Sequence, residues 1–116
     1  MPQEISLRLS ELIMNWLREM EKEGLLKIVN DEFINFRIRL CDMPKDYPYE
    51  DILIHGVYRR IEYDDLGHKH VVYVLRIDCG SIYLSNATLN DYSLFKKLFL
   101  NTIKKHPEWF GCLKSH

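Results

Sequence analysis

Residues 52–85, ILIHGVYRRIEYDDLGHKHVVYVLRIDCGSIYLS, decide the fold. Apolar and polar residues alternate along most of this stretch, which is the period of a β-strand with one buried face. The alternation predicts three strands: Ile52–Tyr63, Val71–Cys79 and Ser81–Ser85. Residues 64–67 (DDLG) have the composition of a turn, and Gly80 interrupts the apolar run. We therefore expect consecutive antiparallel strands joined by tight turns.

The same two-residue period continues upstream of this segment. The alternating apolar positions are Leu26, Ile28, Ile34, Phe36, Ile38 and Leu40. Asn30-Asp31-Glu32 predicts a turn between two strands, and the prolines and acidic residues of Cys41–Glu50 predict a loop. The sheet should therefore have four to five antiparallel strands.

Helical periodicity flanks the strands on both sides. The first apolar stripe comprises Leu9, Leu12, Ile13, Trp16, Leu17 and Met20, and Gly24 is placed to end that helix. The second comprises Leu94, Phe95, Leu98, Phe99, Thr102 and Ile103, with Thr88 as its N-cap and Pro107 after its end. We predict an α+β fold with both helices on one face of the sheet. Its core should include Leu12, Trp16, Leu17, Ile38, Leu75, Leu94, Leu98 and Phe99.

Length and composition limit what the protein can be. With 116 residues the chain has room for one domain, residues 1–116, and its formal net charge of −1 gives no global attraction to polyanions. Three widely spaced cysteines suggest neither a disulfide framework nor a zinc site. The first residues, Pro2-Gln3-Glu4, predict no signal peptide, and no apolar stretch approaches the length that spans a bilayer. We expect a soluble, cytoplasmic protein with no cofactor and no metal.

The face of the sheet opposite the helices is the candidate site. The polar phase of each strand places arginines and aromatic rings there: Arg37, Arg39, Tyr58, Arg60, Arg76 and Tyr83. Arginines can contact phosphates while rings stack on bases, which suits single-stranded nucleic acid. An ordinary solvated face also carries such side chains. Alternatively, Val72 and Val74 with the tyrosines could form the seam of a homodimer.

The order of elements carries a resemblance to a known group. Strands that end in Gly80-Ser81-Ile82-Tyr83-Leu84 lead into Thr88-Leu89-Asn90-Asp91 and a long helix. This arrangement, over about residues 26–105, resembles the positive-cofactor-four and whirly single-strand binders and small single-strand-binding proteins of archaeal viruses. The resemblance implies a dimer that holds single-stranded DNA or RNA on its sheet through the six residues named above. Abundant Ile, Lys and Tyr with scarce Gln also suggest an archaeal virus from a hot habitat.

Two other functions remain open. The same surface also suits a protein-interaction module, such as a viral inhibitor of a host defence complex. Alternatively, His68-Lys69-His70 with Tyr92 and Lys96 is similar to the His-hydrophobe-His nickases, in which a metal polarises a phosphate and tyrosine attacks it. We interpret the protein as a non-enzymatic binder first, an interaction module second and a metal-dependent nickase third.

Overall fold

The computed structural model describes residues 3–32, 35–42, 51–78 and 80–109. Its elements are β1 (Glu4–Ile5), α1 (Leu7–Lys22), β2 (Leu26–Glu32), β3 (Asn35–Leu40), β4 (Ile52–Tyr63), β5 (Lys69–Ile77), β6 (Gly80–Leu84), α2 (Asn86–Leu89) and α3 (Tyr92–Lys105). A 3-10 turn, Pro107–Trp109, follows α3. The predicted α+β class is confirmed, with a leading helix, an antiparallel sheet and a C-terminal helix. No helix in the described ranges is long and apolar enough to cross a membrane.

The sheet has the order β2-β3-β4-β5-β6, with every neighbour antiparallel. The long strand β4 was predicted with its observed bounds, and its turn to β5 lies where the sequence places it. The predicted turn at residues 30–32 is wrong, because β2 continues through Glu32, which pairs with Asn35. Ile34, Cys79 and residues 43–50 of the predicted loop lie outside the described residues.

A bulge in β4 fastens the first helix to the sheet. The register between β4 and β5 shifts between Ile54 and Gly56, whose φ is 121°. Beyond the bulge β4 leaves β3 and pairs with β1. The buried Ser10 hydroxyl of α1 accepts the Val57 N–H (2.8 Å) and donates to the Val57 carbonyl (3.4 Å). Ser10 thus gives the Val57 N–H a partner where β4 has left β3, while the Val57 carbonyl also accepts the Ser6 N–H at 2.8 Å.

Both helices cover the same face of the sheet. The core joins Leu17 of α1 and Phe99 of α3 to the inner phase of the strands, for example the paired Ile38 and Ile52. Trp16 lies at the helix–helix contact, with its ring centroid 5.3 Å from that of Phe95. Gly24 ends α1 with φ 81° as predicted, and the Leu25 N–H donates to the Met20 carbonyl (3.0 Å). The other face of the sheet therefore carries no helix of the described residues.

The start of the second helix differs from the prediction. Thr88 is not its N-cap but lies within α2, which Ser85 caps. Asp91 caps α3 instead, because its side chain accepts the Leu94 N–H at 3.2 Å. Beginning at Tyr92, α3 buries Phe95, Phe99 and Ile103. Leu94 is consequently 45% exposed, and its predicted place in the core is wrong.

Candidate nucleic-acid interface

The six predicted site residues share the face of the sheet that carries no helix, which we call the helix-free face. Phe36 and Ile38 point into the core, so the alternating Arg37 and Arg39 point away from it. A row of side chains crosses β4, β5 and β6, because Val74 pairs with Tyr58 on one side and with Tyr83 on the other. Directly paired residues of a sheet point to the same face. Arg60 lies two residues after Tyr58 and Arg76 two residues after Val74, so both arginines point to this face as well. Lys27, paired with Arg39, adds a further cation.

Tyr83 is the centre of a polar network on this face. Its hydroxyl accepts a hydrogen bond from the Arg60 guanidinium and donates to Glu62 at 2.9 Å. Arg60 also pairs with Glu62 at 3.0 Å, and its guanidinium carbon lies 5.2 Å from the Tyr83 ring centroid. The Arg60 Nε is buried and has no hydrogen-bond partner in the described part of the chain. This network positions Tyr83, which remains 56% exposed.

A second arginine–tyrosine pair lies on the other side of Val74. The Arg76 guanidinium carbon is 5.4 Å from the Tyr58 ring centroid, within the range of a cation–π contact. Val74 itself is fully buried although it is outside the main core. Long side chains on a sheet can cover an apolar neighbour with their stems and rings. The expectation that Val74 forms part of an exposed apolar strip is therefore wrong.

The arginines differ in whether a carboxylate neutralises them. Arg39 pairs with Asp51 at 2.9 Å, and Arg60 pairs with Glu62. For Arg37 and Arg76, no described carboxylate lies within ion-pair distance. These two guanidiniums are therefore the side chains of the face best placed to take an external anion.

The acidic residues of α1 lie on the opposite side of the molecule. Glu11, Glu19, Glu21 and Glu23 are exposed on or just after this helix. Because α1 covers the inner face of the sheet, its outward surface points away from the helix-free face. These carboxylates therefore lie away from the helix-free face, although the helices also carry cations such as Lys22 and Lys97.

His55 is the extra residue at the β4 bulge and adjoins Arg76. Burial is the main cause of its lowered pKa, and the Arg76 charge lowers it further. The charge of Asp78 and a hydrogen bond with its backbone act in the opposite direction without reversing the shift. Asp78 also holds this corner together, because its carboxylate accepts the Leu53 N–H at 3.3 Å. His55 is consequently neutral at pH 7.

The lowered His55 pKa predicts a loss of stability in mild acid. The unfolded chain takes up a proton near pH 6.5, whereas folded His55 resists it, so unfolding is favoured as pH falls from 6.5 toward the folded pKa. Denaturant unfolding measured in steps from pH 7.5 to 5 checks this. Substitution His55→Asn should flatten the curve over that interval. An unchanged slope in the variant would contradict the assignment.

In the nickase alternative, the two histidines and the Tyr92–Lys96 pair lie on different parts of the fold, although Lys96 contacts the Tyr92 ring at 5.1 Å. His68 and His70 both contact the Asp64 carboxylate at the β4–β5 turn (3.2 and 3.0 Å), and His70 pairs with Glu62 on the helix-free face. Tyr92 lies in the helical layer and bonds to Glu23. Burial raises the Tyr92 pKa, which disfavours the phenolate that a nucleophile requires. Within the described ranges no cluster of His, Cys, Asp or Glu suits a metal ion.

Sequence reasoning missed two residues of this face. Lys27 lies between Leu26 and Ile28, so the alternation that identified β2 already placed it outside. His55 was missed because the bulge was not predicted, although a glycine within a strand pattern is its usual signal. Comparison of the chain with protein-family models, curated proteins and solved structures finds no match. The resemblance to the positive-cofactor-four and whirly group therefore stays a prediction.

Proposed function

We propose that the protein is a non-enzymatic binder of single-stranded nucleic acid, DNA or RNA, which it holds on the helix-free face. The observation that carries this proposal is the presence, on one face, of two arginines without a described carboxylate partner and an exposed ring: Arg37 on β3, Arg76 on β5 and Tyr83 on β6. Charge attracts the phosphate backbone, while an aromatic ring offers a platform for any base.

The positions of the two tyrosines across the sheet suggest how a strand of nucleic acid is held. Tyr58 and Tyr83 flank Val74 and are therefore two strand spacings apart, roughly 9–10 Å. An extended single strand of nucleic acid that crosses from β4 to β6 can place its bases near both rings and its phosphates near Arg76 and Arg60. Phosphate must compete with Glu62 for Arg60. The pair is only partly exposed, at 24% for Arg60 and 40% for Glu62, so this exchange costs more than it would for a fully exposed pair.

A homodimer is part of the proposal. Within the described residues β6 is an edge strand of the sheet, and the exposed Val71 lies on its neighbour β5. A second copy can cover this edge by two-fold symmetry. The setting we propose is the host cytoplasm of an archaeal virus, on the composition and the resemblance described above.

Titration of a labelled single-stranded oligonucleotide of mixed sequence tests the function. We expect binding that weakens with salt, with a slope of log affinity against log salt of roughly −0.7 for each phosphate neutralised. A duplex of the same sequence should bind more weakly, because its bases cannot reach the rings. Manganese should produce no nicking. Absence of binding to the single strand at low salt would refute the proposal.

A protein partner is the second candidate for the same face. The hydrogen-bonded Arg60, Glu62 and Tyr83 form a fixed polar surface with an exposed aromatic side chain, a combination that also suits protein interfaces. If the oligonucleotide does not bind, this function takes first place. Pull-down from the native host, with a Tyr83→Ala variant as control, would then identify the partner.

A further inference from the structure

A cleft on the helical side of the molecule lies between α1 and α2. Its volume is about 470 Å³, within the range of small-molecule sites. The side chains that matter for its chemistry are Arg8, Leu12, Trp16, Tyr73, Asn86 and Asn90. None of the six residues proposed to bind nucleic acid lines this cleft, so it is a separate feature of the molecule.

The aromatic wall of the cleft is held in place by the core. Trp16 packs against Phe95 on the other helix and against Tyr92, with ring centroids 5.3 and 5.9 Å apart. Tyr73 extends from β5, where it pairs with Leu84. Two rings positioned by separate elements border one cavity, an arrangement that suits a planar aromatic ligand.

The polar groups of the cleft are available to a ligand. In the described part of the chain, neither the Arg8 guanidinium nor the Tyr73 hydroxyl has a hydrogen-bond or ion-pair partner. Arg8 also lies in the first turn of α1, which contains no acidic residue. A cation is disfavoured at this positive end of a helix unless an anion accompanies it. The Asn90 amide already donates to the Asn86 backbone carbonyl at 2.7 Å, so in the described part of the chain the Asn86 side chain and the Asn90 side-chain oxygen are the amide groups that remain for a ligand.

We propose that this cleft binds a nucleoside monophosphate. The base lies against Trp16 and Tyr73, the amides contact its polar edge, and Arg8 takes the phosphate as a bidentate partner. Arg8 is the one cation among the described lining residues, so their charge matches a monophosphate better than a triphosphate. The inference does not depend on the function proposed for the helix-free face.

Titration with AMP tests the inference, followed by adenosine and ribose 5-phosphate. A Trp109→Phe variant leaves Trp16 as the sole tryptophan, so its fluorescence reports the cleft, and calorimetry of the unmodified protein gives the affinity. We expect AMP to change the Trp16 signal and to bind at least tenfold more tightly than either fragment, since each fragment lacks one of the two anchors.

Two variants decide whether the cleft is responsible. Arg8→Gln should weaken AMP binding about tenfold and leave adenosine unaffected. Lys22→Gln removes the same charge from the exposed far end of α1 and should change neither affinity. The inference is overturned if AMP does not bind at millimolar concentration, if adenosine binds as well as AMP, or if the two variants behave alike. Oligonucleotide binding should be unchanged in Arg8→Gln, which separates this site from the helix-free face.

Discussion

Replacing Phe99 by alanine should lower the free energy of unfolding by about 3–5 kcal/mol, the largest stability effect we expect from one substitution. Phe99 is fully buried beneath α3, where its ring stacks on Phe95 with centroids 5.4 Å apart. Truncation removes apolar surface from the centre of the core and leaves a cavity. Because domains of this size are stable by only about 5–15 kcal/mol, much of the protein's stability depends on this ring.

The matched control for Phe99→Ala is Leu94→Ala on the same helix. Leu94 is 45% exposed, so its truncation should change stability by no more than about 0.5 kcal/mol. Denaturant unfolding followed by circular dichroism measures both variants. Equal losses in the two variants would mean that the helix is rotated about its axis relative to the structure described here.

The periodicity of the sequence predicted the elements because burial imposes it. Alternation over Ile52–Tyr63 fixed β4, since one face of that strand lies in the core and the other does not. The start of α3 was missed because Thr88 and Asp91 both suit an N-cap, whereas Thr88 lies inside the short α2, which Ser85 caps. The buried stripe of α3 is centred on Phe95, Phe99 and Ile103, and Leu94 lies outside it. Local propensity cannot choose between two adequate caps, whereas packing of Phe95 and Phe99 does.

The candidate site shows a different limit. Alternation placed all six predicted residues on one face, but it could not show which arginines have partners. Asp51, which precedes β4, pairs with Arg39 of β3. Glu62 lies two residues after Arg60 on β4, and Tyr83 of β6 contacts both side chains. The burial of Val74 likewise depends on neighbours in three strands. Such contacts follow from register, and the β4 bulge that sets the register has only Gly56 as its signal.

Substitution of Arg37 or Arg76 by glutamine should weaken single-strand binding by about fivefold each at 0.1 M salt, and by about 25-fold together. Each arginine is expected to neutralise one phosphate, which contributes roughly 0.7 to the slope of log affinity against log salt. At 0.1 M salt the loss of that contribution lowers affinity by about fivefold. Both guanidiniums lie on the helix-free face without a described carboxylate partner, so the loss should fall on the ligand and leave folding intact. Fluorescence anisotropy across a range of salt concentrations measures affinity and slope together.

The slope of log affinity against log salt separates a local phosphate contact from a general effect of charge. Lys97→Gln removes one positive charge from the exposed side of α3 and should leave the affinity and the slope almost unchanged. Tyr83→Ala should lower affinity by about 1–3 kcal/mol without changing the slope, since stacking releases no counterions. Tyr83→Phe keeps the ring but removes the hydroxyl that holds Arg60 and Glu62, so its affinity should remain near that of the unmodified protein. If Lys97→Gln reduces the slope as much as Arg37→Gln does, the protein attracts nucleic acid by diffuse charge alone and the helix-free face is not its binding site.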